Sequence, residues 1–472
     1  MHRELSDGSP VERIEQPVVP VGRSRRWWLG RCVGAAAGFV VWPFLPVAHA
    51  GFRRLAMPSR RELAGEIDQT LWQKILPAWY PRSLDIEHGG FWEHFSEDWS
   101  RLPATTKFLV FQARMTWTAA TVALDYPQRG EPYLEYSRHG LQFLRRRMWD
   151  SQHGGFVDRT DLQGQPDRQT MPWKQMYSLA FGLYAASTSY EATRDPQAMQ
   201  LARETFDWIE QHAHDPEHGG YFEHLTAEGQ PVARDIPDEP AEPGLPMIGR
   251  VGHKSMNAHI HVLEALIALR HVWDDARLIE RLNEVFLIVR DRIVRPGGHL
   301  AMFCRRDFTP VDQRSSFGHE LETAYLLTEA AQWLHRADDA KTRQVVLDLV
   351  EHSLRWGWDN QHGGFFDEGP PEGAATHRRK VWWVQVEALN GLLIADQWAG
   401  GQDPRFYDIY VRTWRFFRDR MVDPVHGGCF DTVAEDGSPL GDRRHKATPW
   451  KTAYHVTRAL MLGAKRLPEE PS

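Results

Sequence analysis

Cysteine is scarce: Cys32, Cys304 and Cys429 are the only three in 472 residues, too few for a disulfide framework. No basic stripe marks the body of the chain and the net charge is −7, which argues against nucleic acid as a partner. The sequence has no H-E-x-x-H, no cysteine cluster for a metal, no G-x-S-x-G nucleophile elbow and no glycine-rich phosphate loop behind a strand. Beyond residue 50 no stretch is long and apolar enough to span a bilayer. Nothing in the sequence bears on oligomeric state.

The first fifty residues differ from the rest. "SRRWWLG" places Arg25 and Arg26 ahead of the apolar run "CVGAAAGFVVWPFLPV", and Ala48-His49-Ala50 supplies a small-x-small cleavage pattern. The expectation is a twin-arginine export signal over 1–50, removed from a mature protein that is periplasmic or otherwise exported. An uncleaved anchor is the alternative, which Pro43 and Pro46 disfavour. Cleavage takes six of the 56 basic and four of the 63 acidic residues, leaving 50 against 59.

What the chain has in abundance is repetition. D-x-x-H-G-G occurs with its His at 88, 153, 218, 362 and 426, the first three 65 apart and the last two 64 apart. The 144-residue gap between 218 and 362 holds a degenerate copy, "RPGGHLAMF", at 295–303. Six units of about 65 residues follow, each suited to two helices and a short hairpin. A polar-faced segment such as "PYLEYSRHGLQFLRRRMW" (132–149) precedes the turn. A more apolar one, such as "AHIHVLEALIALRHVW", begins about 20 residues after it. Glycines with positive φ and an Asp bonded to local backbone suit the turn, so its His is expected to be structural. Residues 51–472 are therefore predicted to be a single all-α (α/α)6 barrel with short hairpins at one end, an open superhelix being the alternative.

Twenty Trp and 23 His exceed what a core requires, and indole faces with imidazoles suit sugar binding. Polar residues on the apolar helices must justify their burial, so the chemistry is sought there. Asn257, His261 and Glu264 share one helix face, whereas His259 points the other way. His319 and Glu322 are i, i+3. Trp383 and Glu387 are i, i+4, with Lys380 just ahead. Lys451, His455 and Arg458 form a further row, and Lys107, Phe111 and Arg114 another. These clusters lie near the starts of their helices, hence at one end of a barrel, and are expected to converge on one pocket. The His-x-His spacing splays its rings, so a metal site is not predicted.

At these helix starts the chain resembles the N-acylglucosamine 2-epimerase superfamily, and its cellobiose 2-epimerase-like branch in particular. The matching segments are "FQAR" (111–114), "MNAHIHVLEA" (256–265), "FGHELETAYLL" (317–327), "KVWWVQVEAL" (380–389) and "WKTAYHVTRAL" (450–460). The resemblance runs from about residue 60 to the C-terminus. It implies the same barrel and inversion of C2 of a reducing-end aldose without redox cofactor or metal. It implies His319 and His455 as the acid–base pair, His261 as the ring-opening group and Arg114 as the holder of the enediolate oxygen. Trp382 and Trp383 would stack on sugar rings. Asn257, Glu264, Glu322, Glu387 and Tyr177 would bind the sugar or orient those groups. Two departures stand out: the connection at 226–252 is lengthened, and the export signal is unlike the cytoplasmic members.

The chemistry implied is coherent. An opened sugar has an acidified C2–H, and inversion removes a proton on one face and returns one on the other. Two imidazoles suit both roles near neutral pH. Glu322, one turn from His319, is expected to help set its orientation, and Arg114 to stabilise developing negative charge. The rival readings are an aldose–ketose isomerase on the same scaffold, an inverting glycoside hydrolase using Glu322 and Glu387, and a non-catalytic sugar-binding protein.

Overall fold

The computed structural model describes residues 57–169, 171–232, 252–441 and 445–468. The export signal and residues 233–251 of the lengthened connection lie outside the described residues.

The repeated turn closes the same way in each full copy. One oxygen of Asp85, Asp150, Asp215, Asp359 and Asp423 accepts the N–H groups two and three residues on. Both glycines of each copy have positive φ, where a side chain would be strained. The other Asp oxygen meets a buried lysine: Lys107, Lys174, Lys254, Lys380 and Lys446 lie 2.7, 3.0, 2.9, 2.8 and 2.6 Å away. Each ammonium also donates to the carbonyl of the first glycine. Lys107 and Lys380 are therefore turn residues and not pocket residues. Lys451 likewise donates to the Cys429 and His445 carbonyls.

The degenerate copy is built differently. Its turn is one residue shorter, with Val294-Arg295 pairing His299-Leu300. Arg295 follows the helix where the others place Asp, and Ser315 stands two residues before the inner helix where Lys107, Lys174, Lys254 and Lys380 stand. Anion and cation have gone together, as expected where a lone buried charge costs far more than the absence of both.

Amphipathic outer helices alternate with apolar inner ones. The outer set is α1 (Arg60–Thr70) with its last turn α2 (Leu76–Trp79), then α4 (Glu131–Phe143), α6 (Pro196–His212), α8 (Ala276–Ile288), α10 (Ala340–Trp356) and α12 (Pro404–Phe416). Local sequence starts them: Ser59 and Glu62 form a capping box, and Asp195, Asp275, Asp339 and Asp403 accept first-turn N–H groups, two of them ahead of a proline. The inner set is α3 (Leu109–Asp125), α5 (Met176–Thr193), α7 (Met256–Arg270), α9 (Phe317–Trp333), α11 (Trp382–Trp398) and α13 (Tyr454–Arg466), buried almost all round. Each inner helix packs on the next and α13 packs on α3, closing an (α/α)6 barrel. Among the described residues no helix is long and apolar enough to cross a membrane.

The hairpin arms do more than fold back locally. The residues just before each inner helix pair antiparallel with the arm of the following unit: Lys107 with Thr160, Lys174 with Leu225, Lys254 with Cys304, Ser316 with Glu368 and Val381 with Thr432. Phe95 bridges Ala447, which joins the last unit to the first. The end of the barrel where inner helices begin is thereby tied into a ring, and it is this end that carries the site.

Candidate active site

Register explains which side chains meet. Arg114, Phe181, His261, Glu322 and Glu387 each stand five residues after the first residue of their inner helix, and Arg458 stands four after the first of α13. The closed ring of helices turns these positions into one layer. Arg114 lies over the Phe181 ring at 4.3 Å, and Phe181 lies 4.6 Å from His261. Nearer the mouth stand Tyr177, Asn257, His319, Trp383 and His455; of these Asn257, His319 and Trp383 keep partial exposure, as does Trp450 just before α13. Beneath are Trp117, Glu264, Tyr325 and Asn390, all buried.

Arg458 is the hub. Its Nη1 donates to Glu264 and its Nη2 donates to Glu322 at 2.6 Å and Glu387 at 2.7 Å. Tyr454 Oη donates to Glu264 at 2.6 Å. Burial raises the Glu264 carboxyl, but Arg458 and His261 outweigh it and hold it at about 2. Burial pushes Glu387 up against the pull of Arg458. Glu322, Glu387 and His455 bring ligand atoms within 4.8 Å of one another, a spacing that would suit a metal, and the cation found among them is the Arg458 guanidinium. The same proximity disposes of the hydrolase reading: an inverting pair needs about 6.5–9.5 Å for its water, and these two carboxylates share one guanidinium nitrogen.

The structure brings the three expected histidines to this cluster and gives each a different Nδ1 partner. His455 Nδ1 is 2.6 Å from Glu387 Oε1, and His261 Nδ1 is 3.0 Å from Glu264 Oε2. His319 Nδ1 is 2.7 Å from Ser316 Oγ. The expectation that Glu322 orients His319 is thus corrected: Glu322 is engaged by Arg458 and lies 3.8 Å from His455. Burial lowers the His319 imidazole to about 4, with Glu322 opposing, and burial lowers His455 as well. A neutral His319 is what a base requires. His259 faces away, between the Ser255 carbonyl and the Tyr221 amide.

Arg114 donates to Tyr177 Oη at 2.6 Å, and burial raises that phenol to about 12, so it remains a hydroxyl. Trp383 lies 4.6 Å from His319 and 5.8 Å from His455, in ring contact with both. Trp382 is placed otherwise: it is buried, with its edge to His455 at 5.4 Å, and it supports that ring from the core. Arg114 Nε, Asn257 Oδ1 and Glu322 Oε2 are buried with no hydrogen-bond partner among the described residues. Left unpaired, such groups each cost about 1–3 kcal/mol, so these three atoms are open to a hydroxyl or a water at the site. Sequence reasoning passed over Tyr454 and gave Arg458, which it placed in the pocket row, no role as a hub. Their signal was there, since both lie in "WKTAYHVTRAL", but their partners lie in other helices.

The family model of N-acylglucosamine 2-epimerase (GlcNAc 2-epimerase) matches residues 89–459. The chain belongs to this family. It is an enzyme of the carbohydrate epimerase and isomerase class. A cellobiose 2-epimerase of Bacteroides fragilis is 30% identical over 397 residues, 83% of this chain and 96% of that protein. The N-acylglucosamine 2-epimerase of Mus musculus is 24% identical over 84% of this chain and 90% of its own. Among solved structures, the cellobiose 2-epimerase of Spirochaeta thermophila superposes with a TM-score of 0.75 at 32% identity, covering 87% of this chain and 97% of that one. Family membership and barrel both agree with the geometry above.

Proposed function

We propose that this member of the family inverts C2 of a reducing-end aldose by proton transfer between His319 and His455 through an enediolate. The observation that carries the reading is the placement of two imidazoles on α9 and α13, both in ring contact with Trp383 and each tied through Nδ1 so that Nε2 is left for substrate. Arg114 supplies a fixed positive charge for the enediolate oxygen. His261, held by Glu264, is suited to open the sugar ring. Trp383 offers a partly exposed indole face for the apolar side of a pyranose. The relatives named as cellobiose 2-epimerases support a glucose-configured reducing end in a mono- or disaccharide.

Proton NMR in D2O with cellobiose, mannobiose, glucose, mannose and N-acetylglucosamine tests this. Deuterium at C2 with appearance of the 2-epimer is the expected result, abolished in both His319→Ala and His455→Ala. A ketose product instead assigns an aldose–ketose isomerase. Absence of exchange with every sugar refutes the reading. The export signal over 1–50 is a separate proposal, supported by Arg25-Arg26 and Ala48-His49-Ala50. N-terminal sequencing of the protein from its native cells should find residue 51 first, and an intact N-terminus in the cytosol would contradict it.

A further inference from the structure

Ser316 occupies the N-cap of α9, with extended backbone dihedrals, yet makes no side-chain cap. The serine at the same place on α7, Ser255, does cap, accepting from the Ala258 amide at 2.9 Å. A serine cap is worth about 1 kcal/mol, so α9 forgoes a stabilising contact to place this hydroxyl against His319 Nδ1. The opposing His455 has a carboxylate in the corresponding position. Two rings with matching jobs thus have unlike supports.

We propose that Ser316 is a positioning residue for His319. Its hydroxyl oxygen accepts the Nδ1 proton and leaves the Nε2 lone pair facing the sugar, and its neutrality makes His319 the imidazole that takes the C2 proton in the resting enzyme. The inference rests on the epimerase reading. In the step concerned the C2–H bond breaks and its proton goes to His319 Nε2. The bonding pair enters C1–C2 while the C1 oxygen gains negative charge. That charge returns to C2 as a new C–H bond forms with a proton from Nε2 of His455, which enters the step as the imidazolium beside the Glu387 carboxylate and leaves it neutral. The groups facing His319 are consistent with this. Glu322 on its own helix favours the protonated ring, whereas His261 on α7, Arg114 on α3 and Arg314 ahead of α9 oppose it. Trp383 contacts the ring from α11, and His455 on α13 lies 5.8 Å from that indole.

The test is the pH dependence of kcat and kcat/KM for the wild type, Ser316→Ala, Ser316→Thr and Ser316→Asp. Loss of positioning in Ser316→Ala should lower kcat roughly 10–100-fold with little change in KM. Ser316→Thr, which keeps the hydroxyl, should restore most of it. Ser316→Asp puts a carboxylate behind the ring and should raise the acidic limb of kcat/KM by about one pH unit or more. Wild-type exchange at C2 together with an unaffected Ser316→Ala and an unmoved limb in Ser316→Asp would overturn this inference alone. A wild type that exchanges no C2 hydrogen would overturn the epimerase reading with it.

Discussion

Replacing Arg458 with Met should expose how the charged layer is held. The guanidinium serves three buried carboxylates, Glu264, Glu322 and Glu387, each nearly inaccessible. Glu264 alone is held at about 2 against an ordinary 4.5, which at 1.36 kcal/mol per pH unit corresponds to about 3 kcal/mol. Removing one partner of a buried pair costs about 3–5 kcal/mol in general, so a loss in that range is expected at pH 7. The sign with pH follows from the depressed carboxyl. Its contribution is present above pH 4.5 and is lost from the wild type as pH falls toward 2. The Glu264 part of the difference between wild type and variant should therefore be full at pH 7 and fall to less than half, about 1.4 kcal/mol, by pH 3. Urea unfolding at both pH values measures it, and Arg458→Lys, a point charge unable to fork across three carboxylates, should fall between. A loss below about 1 kcal/mol at pH 7, or one that does not change with pH, would refute the charged-hub account.

Gly318→Ala places a methyl 2.6 and 2.7 Å from Trp383 Cζ3 and Cη2, so the indole must leave its place beside His319. Sugar binding should weaken about ten-fold or more in KM, with partial rescue by the smaller ring of Trp383→Phe, in line with the cost of misplaced binding groups. Lys380→Met should cost about 3–5 kcal/mol in urea unfolding by stranding Asp359, and the double variant with Asp359→Asn should cost less than that single change. Burial raises Glu93 to about 8 despite bonds from Gln112 and the Phe108 amide. A carboxyl raised in the fold is stabilising below pH 4.5 and loses that contribution as pH climbs to about 8. Glu93→Gln should remove roughly 1.4 kcal/mol per pH unit of that alkaline decline, and an unchanged slope would argue against a protonated Glu93.

The repeat was open to reading because its glycines and aspartates are consecutive in the chain, and six units with no polar end unit sufficed for a closed ring. Lys107 and Lys380 were misplaced for a physical reason. Each precedes an apolar helix, as a pocket residue would, whereas its Asp partner lies 22 or 21 residues earlier, across the hairpin. The Arg458 hub was harder still, with partners 71, 136 and 194 residues away on three other helices. That one cation should satisfy three acids depends on the angular positions of those helices, which no local pattern encodes. The same holds for Glu322, whose i, i+3 spacing from His319 is real but whose carboxylate turns to the barrel axis and Arg458.

The aromatic layer beneath the hub has its own bearing on traffic. Trp117 packs on Tyr184 at 5.1 Å and on Tyr454 at 4.9 Å, and Arg458 lies over Tyr325 at 5.5 Å. With such a floor the barrel is a cup and not a tunnel. A ligand enters end-on and backs out the way it came, so a polymer presents its terminus there and never its middle. Protons obey the same geography. The acids and imidazoles trade with bulk water only through the mouth, and an occupant of that mouth isolates their shared protons until it leaves.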